Sequence, residues 1–166
     1  MDHWGLFSRR GEKIMTEQKD GQNLYSAHFT EQWSWEKIAP HKEALNAALN
    51  KYAQRFPDDV CLATIAKELA TGQAQLWLVL KNKTQFSAFA LTKIEKTQRG
   101  KKRVVLSDLA GEGGLELVPL IEKIEQWALS IHAEELHLFG RTGWAKMLAR
   151  HGYSRDLIHY RKVLVP

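Results

Sequence analysis

One cysteine, Cys61, stands in 166 residues, so no internal disulfide is available and the chain reads as intracellular. No apolar run approaches the roughly eighteen residues of a membrane-spanning helix. The seven histidines show no metal-ligand spacing, and Cys61 has no second cysteine to complete a CxxC pair. Gly-x-Ser-x-Gly and Gly-Lys-Ser/Thr signatures are both missing, which removes the usual grounds for a hydrolase or an NTPase. Aromatic residues, by contrast, are plentiful: six Trp, six Phe and four Tyr exclude disorder as the main state. A length of 166 residues with 44% hydrophobic and 26% charged residues fits one domain that buries about two-thirds of its unfolded surface.

The formal net charge is +5, an excess that favours polyanions in general. It is scattered, apart from the run Arg99, Lys101, Lys102 and Arg103 around Gly100. Such a run is ordinarily a solvated hairpin loop, so nucleic acid is not expected as a partner. Residues 1–21 are expected to form a flexible N-terminal segment. Met15 is an alternative translation start, because residues 1–14 carry neither a helical repeat nor a secretory apolar stretch.

A single domain is expected over 22–166, without repeats or linkers. Tyr25, Ala27 and Phe29 alternate as the inward face of a short strand. Ala44, Leu45, Ala48, Leu49, Tyr52 and Phe56 then form a helical stripe that Pro57 ends. A second helix follows, with Asp58 or Asp59 as its expected N-cap and Gly72 as its stop. Leu76–Leu80, Phe86–Thr92 and Arg103–Leu109 read as an antiparallel meander whose first turn is Asn82-Lys83. Leu117 to Ile131 holds the strongest amphipathic helix, with Pro119 confined to its first turn. Strand 135–139 should lie parallel to 103–109 through this crossover. A helix over Thr142–Arg150 and a last strand or two over Tyr153–Leu164 complete the order. His137 is expected as a core histidine.

This order resembles the GNAT superfamily of acyl-CoA N-acyltransferases across about residues 22–164. The supporting runs are Gly72-Gln73-Ala74-Gln75-Leu76-Trp77-Leu78-Val79, Leu109-Ala110-Gly111-Glu112-Gly113-Gly114 and Ala149-Arg150-His151-Gly152-Tyr153. Gly140-Arg141-Thr142-Gly143-Trp144 is similar to a segment of small phage-encoded GNAT-like proteins. The resemblance implies an α/β (α+β) mixed sheet, an antiparallel meander plus a parallel strand pair, with helices on both faces. It also implies acetyl-CoA as cofactor, lying where the two parallel strands splay, and a cytoplasmic or virion-associated protein.

On that resemblance Leu109, Gly111, Gly113 and Gly114 form the cofactor loop, whose N–H groups face pyrophosphate at a positive helix end, and Arg141 adds charge nearby. The loop is degenerate. Asp108 stands where the family has Gln or Arg, and Glu112 and Glu116 add carboxylates. A plain strand-to-helix turn is the alternative. Asp108 is the candidate catalytic base, or else a turn-capping aspartate. Leu148 occupies the position of the family's tyrosine acid, and Tyr153 reads as core. For Arg141 the alternative is pairing with a local carboxylate, with Thr142 as helix cap and Trp144 packed on Trp127. Two functions follow: an N-acetyltransferase-like protein of unknown acceptor, or a non-catalytic GNAT-fold phage protein acting through a protein partner or in virion assembly.

Overall fold

The computed structural model describes residues 24–111 and 116–166. The expectations for residues 1–21, for Met15 and for Glu112, Gly113 and Gly114 lie outside the described residues. Five strands form one sheet in the order β1-β2-β3-β4-β5: β1 Tyr25–Phe29, β2 Gln75–Lys81, β3 Gln85–Lys96, β4 Lys102–Gly111 and β5 Glu135–Leu138. The first four strands are antiparallel neighbours, and β5 joins β4 in parallel. Short turns make the meander. Asn82 and Lys83 take φ of 52° and 61°, the left-handed pair that a two-residue hairpin requires. The helix between β4 and β5 supplies the crossover that parallel strands need.

Helices cover both faces. After the short α1 (Trp35–Ile38), α2 (Lys42–Arg55) and α3 (Leu62–Thr71) lie on one face; the crossover helix is α4 (Leu117–Ser130), and α5 (Ala145–Arg150) follows β5. Leu45 of α2 and Ile65 of α3 pack on Leu78, Leu80, Phe89 and Leu91. Leu117, Leu120, Ile121, Ile124 and Ala128 of α4 pack on Ala27, Trp77, Val79, Ala88, Ala90, Val104 and Leu106. Strands sandwiched this way are apolar on both sides, which explains the unbroken run in β2. Trp77 is the centre of the α4 face. Its indole N–H donates to Thr92 Oγ1 at 3.0 Å, and its ring meets Phe29 at 4.5 Å and Trp127 at 5.6 Å.

Several expectations need correction. The α3 N-cap is Cys61, with no side-chain cap, so neither Asp58 nor Asp59 starts that helix. At its other end Gly72 takes φ +76°, as a left-handed stop should. Residues 154–166 form no strand and are exposed throughout. A strand exists only where a neighbour accepts its hydrogen bonds, and none does here. His137 is half-exposed, not core: its Nε2 lies 2.7 Å from Glu135 Oε2. Trp127 pairs with Phe29 and Trp77, while Trp144 packs elsewhere on the same core.

The basic run is the β3–β4 turn, with Gly100 at φ +81°. Lys101, Lys102 and Arg103 are engaged locally. Lys101 pairs with Glu135 at 2.6 Å and Arg103 with Glu95 at 2.9 Å, and Lys102 Nζ donates to the Ile131 carbonyl at 2.9 Å. The hydrogen bond to His137 and the Lys101 ammonium together hold the Glu135 carboxyl down at about 2. No described helix is long and apolar enough to cross a membrane.

Candidate functional site

Two one-residue bulges shape the end of the sheet where β3 and β4 meet α4. In β4 the register passes from Leu91↔Asp108 to Thr92↔Leu106, which leaves Ser107 as the extra residue. A bulge reverses which side chains share a face beyond it. Leu106 and Leu109 accordingly pack on the α4 face, and Ala110 on the α2–α3 face. In β3 the register passes from Val79↔Ala88 to Leu80↔Phe86, so Ser87 is extra there.

Pairing between β4 and β5 stops at this same point. It spans Arg103↔Glu135 to Leu106↔Leu138 and goes no further. From Ser107 to Gly111, β4 runs on beside β3, with no β5 residue opposite. Its outer edge is therefore a row of backbone amide and carbonyl groups without a strand neighbour. The two strands were expected as neighbours over 103–109 and 135–139; the pairing is real but shorter, and the bulge marks where it ends.

Asp108 lies on this unpaired stretch and turns toward α2. Its Oδ1 accepts from the Tyr52 hydroxyl at 2.7 Å and its Oδ2 from Ser107 Oγ at 2.8 Å. Burial, followed by the Asp108 carboxyl that its hydroxyl serves, raises the Tyr52 pKa well above its usual 10, so Tyr52 remains a donor across the working pH range. A carboxylate has about four lone-pair positions, so among the described residues two of those on Asp108 have no partner. The residue thus caps no turn; a tyrosine orients it from the opposite layer. Phe89 sets Tyr52 in turn, edge-on at 5.7 Å.

Glu116 is the most buried charged residue described, at 4% exposure. It stands at the head of α4, where a carboxylate complements the helix dipole. Ser87, the extra residue of the β3 bulge, donates its hydroxyl to Glu116 Oε1. Gly111 makes room for this arrangement. A Cβ there would lie 2.6 Å from Ala88 Cβ and 2.9 Å from Glu116 Oε2. Gly111→Ala is therefore expected to cost about 1–3 kcal/mol through overpacking, read as a lower unfolding midpoint. An unchanged midpoint would show that β4 can shift to admit the methyl group.

Arg141 follows β5 by three residues, at the end of the sheet that β4 leaves open. It is exposed and lies over the Trp144 ring at 6.0 Å; no carboxylate pairs with it among the described residues. Arg141 is also the N-cap of the 3-10 turn Thr142–Trp144, which has no side-chain cap, so Thr142 is not the cap. Tyr153 donates its hydroxyl to Glu125 at 2.6 Å and packs against the α4-side core, as expected for a core residue. Leu148 is packed on the same core.

The structure thus brings Asp108, Leu109 and Gly111 onto one unpaired strand segment and sets Arg141 at the same end of the neighbouring strand. Tyr52, Ser107 and Ser87 were not singled out in the sequence. Tyr52 sits within an apolar helical stripe, and its hydroxyl gives no sign of a partner 56 residues away. Two shallow hollows lie elsewhere. One, of about 210 Å³, is bordered by Thr30, Leu69 and Gln75; the other, of about 220 Å³, lies between β1 and α4. Neither is lined by Asp108.

No protein-family model matches the sequence, and no curated protein matches it. Solved structures do match in fold. Glucosamine-6-phosphate N-acetyltransferase from Arabidopsis thaliana superposes with a TM-score of 0.59 at 11% identity, over 85% of this chain and 99% of that one. An aminoglycoside acetyltransferase from an uncultured soil metagenomic sample gives 0.57 at 12% identity, over 86% and 98%. A Trypanosoma brucei acetyltransferase gives 0.57 at 14% identity, over 84% and 99%.

Proposed function

From a chain that has the GNAT acetyltransferase fold, we infer an acyl-CoA-dependent N-acetyltransferase-like function, with an amine as acceptor. The observation that carries it is the β4 edge from Ser107 to Gly111, freed at a bulge and adjoining an oriented carboxylate. This edge suits a ligand arm with amide groups, which can take the place of a missing strand. Acetyl-CoA, when bound, supplies an acyl group already activated as a thioester.

The chain's residues then have separate tasks. The backbone between Ser107 and Gly111 would hold the arm along the free edge. Arg141 supplies a permanent positive charge at the end of β5. Asp108, held by Tyr52 and Ser107, takes the proton from the acceptor amine directly or through one water. Tyr153 is not the acid for the departing thiolate, because Glu125 holds its hydroxyl.

Glu116 favours a second reading. Its carboxylate already serves the head of α4 through Ser87 and Gly111, as suits a scaffold that works through a protein partner without catalysis. Thermal unfolding separates the two. Acetyl-CoA at 100 times its Kd should stabilise the fold by about 2.7 kcal/mol, a midpoint rise of roughly 5–11 °C for a chain of this size. A rise with acetyl-CoA and CoA but not with inorganic phosphate supports the enzyme. No rise at millimolar ligand overturns it in favour of the scaffold.

A further inference from the structure

β1 ends the sheet on the side away from Asp108, and its pairing with β2 decides which of its backbone groups face outward. Asn82 donates its amide to the Leu24 carbonyl at 2.8 Å, and Thr30 donates to the Leu76 carbonyl at 3.1 Å. Hydrogen-bonded pairs alternate along an antiparallel ladder. Leu24, Ser26, His28 and Thr30 therefore turn their amides and carbonyls toward β2, and Tyr25, Ala27 and Phe29 turn theirs away from it. β1 pairs only with β2, so among the described residues these outward groups have no backbone partner. Such an edge is a template for a further strand.

The two faces beside the edge differ. On the α4 face a hollow of about 220 Å³ opens beside Tyr25 and Ala27, bordered across from them by Pro119, Glu122 and Lys123. A residue of an added strand paired with Ala27 would place its side chain on this face. Its two neighbours would point to the other face, where Ser26 and His28 lie. There Ser26 Oγ is 2.7 Å from His28 Nε2, the His28 ring is 5.5 Å from Trp33, and Lys37 of α1 stands 4.6 Å over Trp33. Lys83 arrives from the β2–β3 turn, next to the Asn82 that holds Leu24. After burial itself, the groups that hold the His28 imidazole below the usual histidine range are all basic: Lys37, Lys123, His41 and Lys83.

We propose that the open edge of β1 docks an extended acidic segment of a partner protein, which pairs with the outward backbone groups of Tyr25, Ala27 and Phe29 as an added strand. Backbone pairing supplies the affinity and the flanking faces supply the selectivity. An apolar residue opposite Ala27 enters the hollow beside Pro119, and carboxylates on alternate residues meet the basic groups around His28. β2 and β3 separate this edge from β4, so the proposal stands or falls apart from the acetyltransferase reading.

The probes are two short capped peptides, one alternating glutamate with valine and the other lysine with valine, added to the full chain. Amide hydrogen exchange, followed residue by residue by nuclear magnetic resonance, reads the edge. In the free chain the amides of Ser26 and His28 should exchange slowly, and those of Tyr25, Ala27 and Phe29 fast. At ten times its Kd the glutamate peptide should slow the Ala27 amide about tenfold, with an affinity that falls as salt is raised. The lysine peptide should leave that amide unchanged. Lys37→Glu, at an exposed side chain, should weaken the glutamate peptide about three- to tenfold. No slowing by the glutamate peptide, or equal slowing by both peptides, overturns the proposal. So does protection confined to the edges of β4 or β5, or an affinity indifferent to both salt and Lys37→Glu. Edge amides that are already slow in the free chain overturn it as well, because the chain's own residues would then cover the edge. The comparison of the two peptides needs no variant, so a substitution that fails to fold still leaves the proposal decided.

Discussion

Asp108→Asn is expected to lower kcat/KM for acetyl transfer about 10²–10⁴-fold, the range for loss of a positioned general base. The assay is release of free thiol from acetyl-CoA with a panel of primary amines. Asparagine keeps an oxygen for the Tyr52 hydroxyl, so the fold and the midpoint rise with acetyl-CoA should both persist. Tyr52→Phe provides the matching control. It removes the donor at 2.7 Å without touching the carboxyl, so it should act through the orientation of Asp108 and cost less. Full activity in Asp108→Asn would remove Asp108 from the mechanism and leave it as a structural partner of Tyr52.

Trp77→Ala carries the largest expected loss of stability, about 3–5 kcal/mol. The side chain is 2% exposed and bridges three elements, through Phe29 of β1, Thr92 of β3 and Trp127 of α4. Truncation opens a cavity between the sheet and its crossover helix. It also removes the indole donor from Thr92, whose hydroxyl still has Gln75 Oε1 at 3.0 Å. Because a domain is typically stable by only about 5–15 kcal/mol, the variant should unfold at far lower urea. A urea midpoint close to the parent's would mean that the neighbouring rings close over the space.

Much of the scaffold was legible because its signals are local. The Asn82-Lys83 turn, the Gly72 stop, the α2 stripe and Pro119 in the first turn of α4 each follow from backbone preferences of a few residues. The parallel β4–β5 pair was legible as well, since only a crossover helix joins such strands. The placement of the candidate residues was legible in outline. Asp108, Leu109, Gly111 and Arg141 do come to one end of the sheet, and Glu116 does stand at the helix head.

Their detailed roles were set elsewhere. Gly111 is small because Ala88 and Glu116 press against it, and Ala88 reaches it from another strand. The bulges at Ser87 and Ser107 leave no mark in a strand apolar on both faces, because shifting the alternation by one residue still buries apolar side chains. His137 alternates like a core residue, yet β5 is the outermost strand, so it meets Glu135 at the surface instead. Residues 157–165 show the division most clearly. Their composition is that of a strand, and composition acts on each residue by itself. Whether they become one depends on a neighbouring edge to accept their hydrogen bonds, and that is decided only when strands meet.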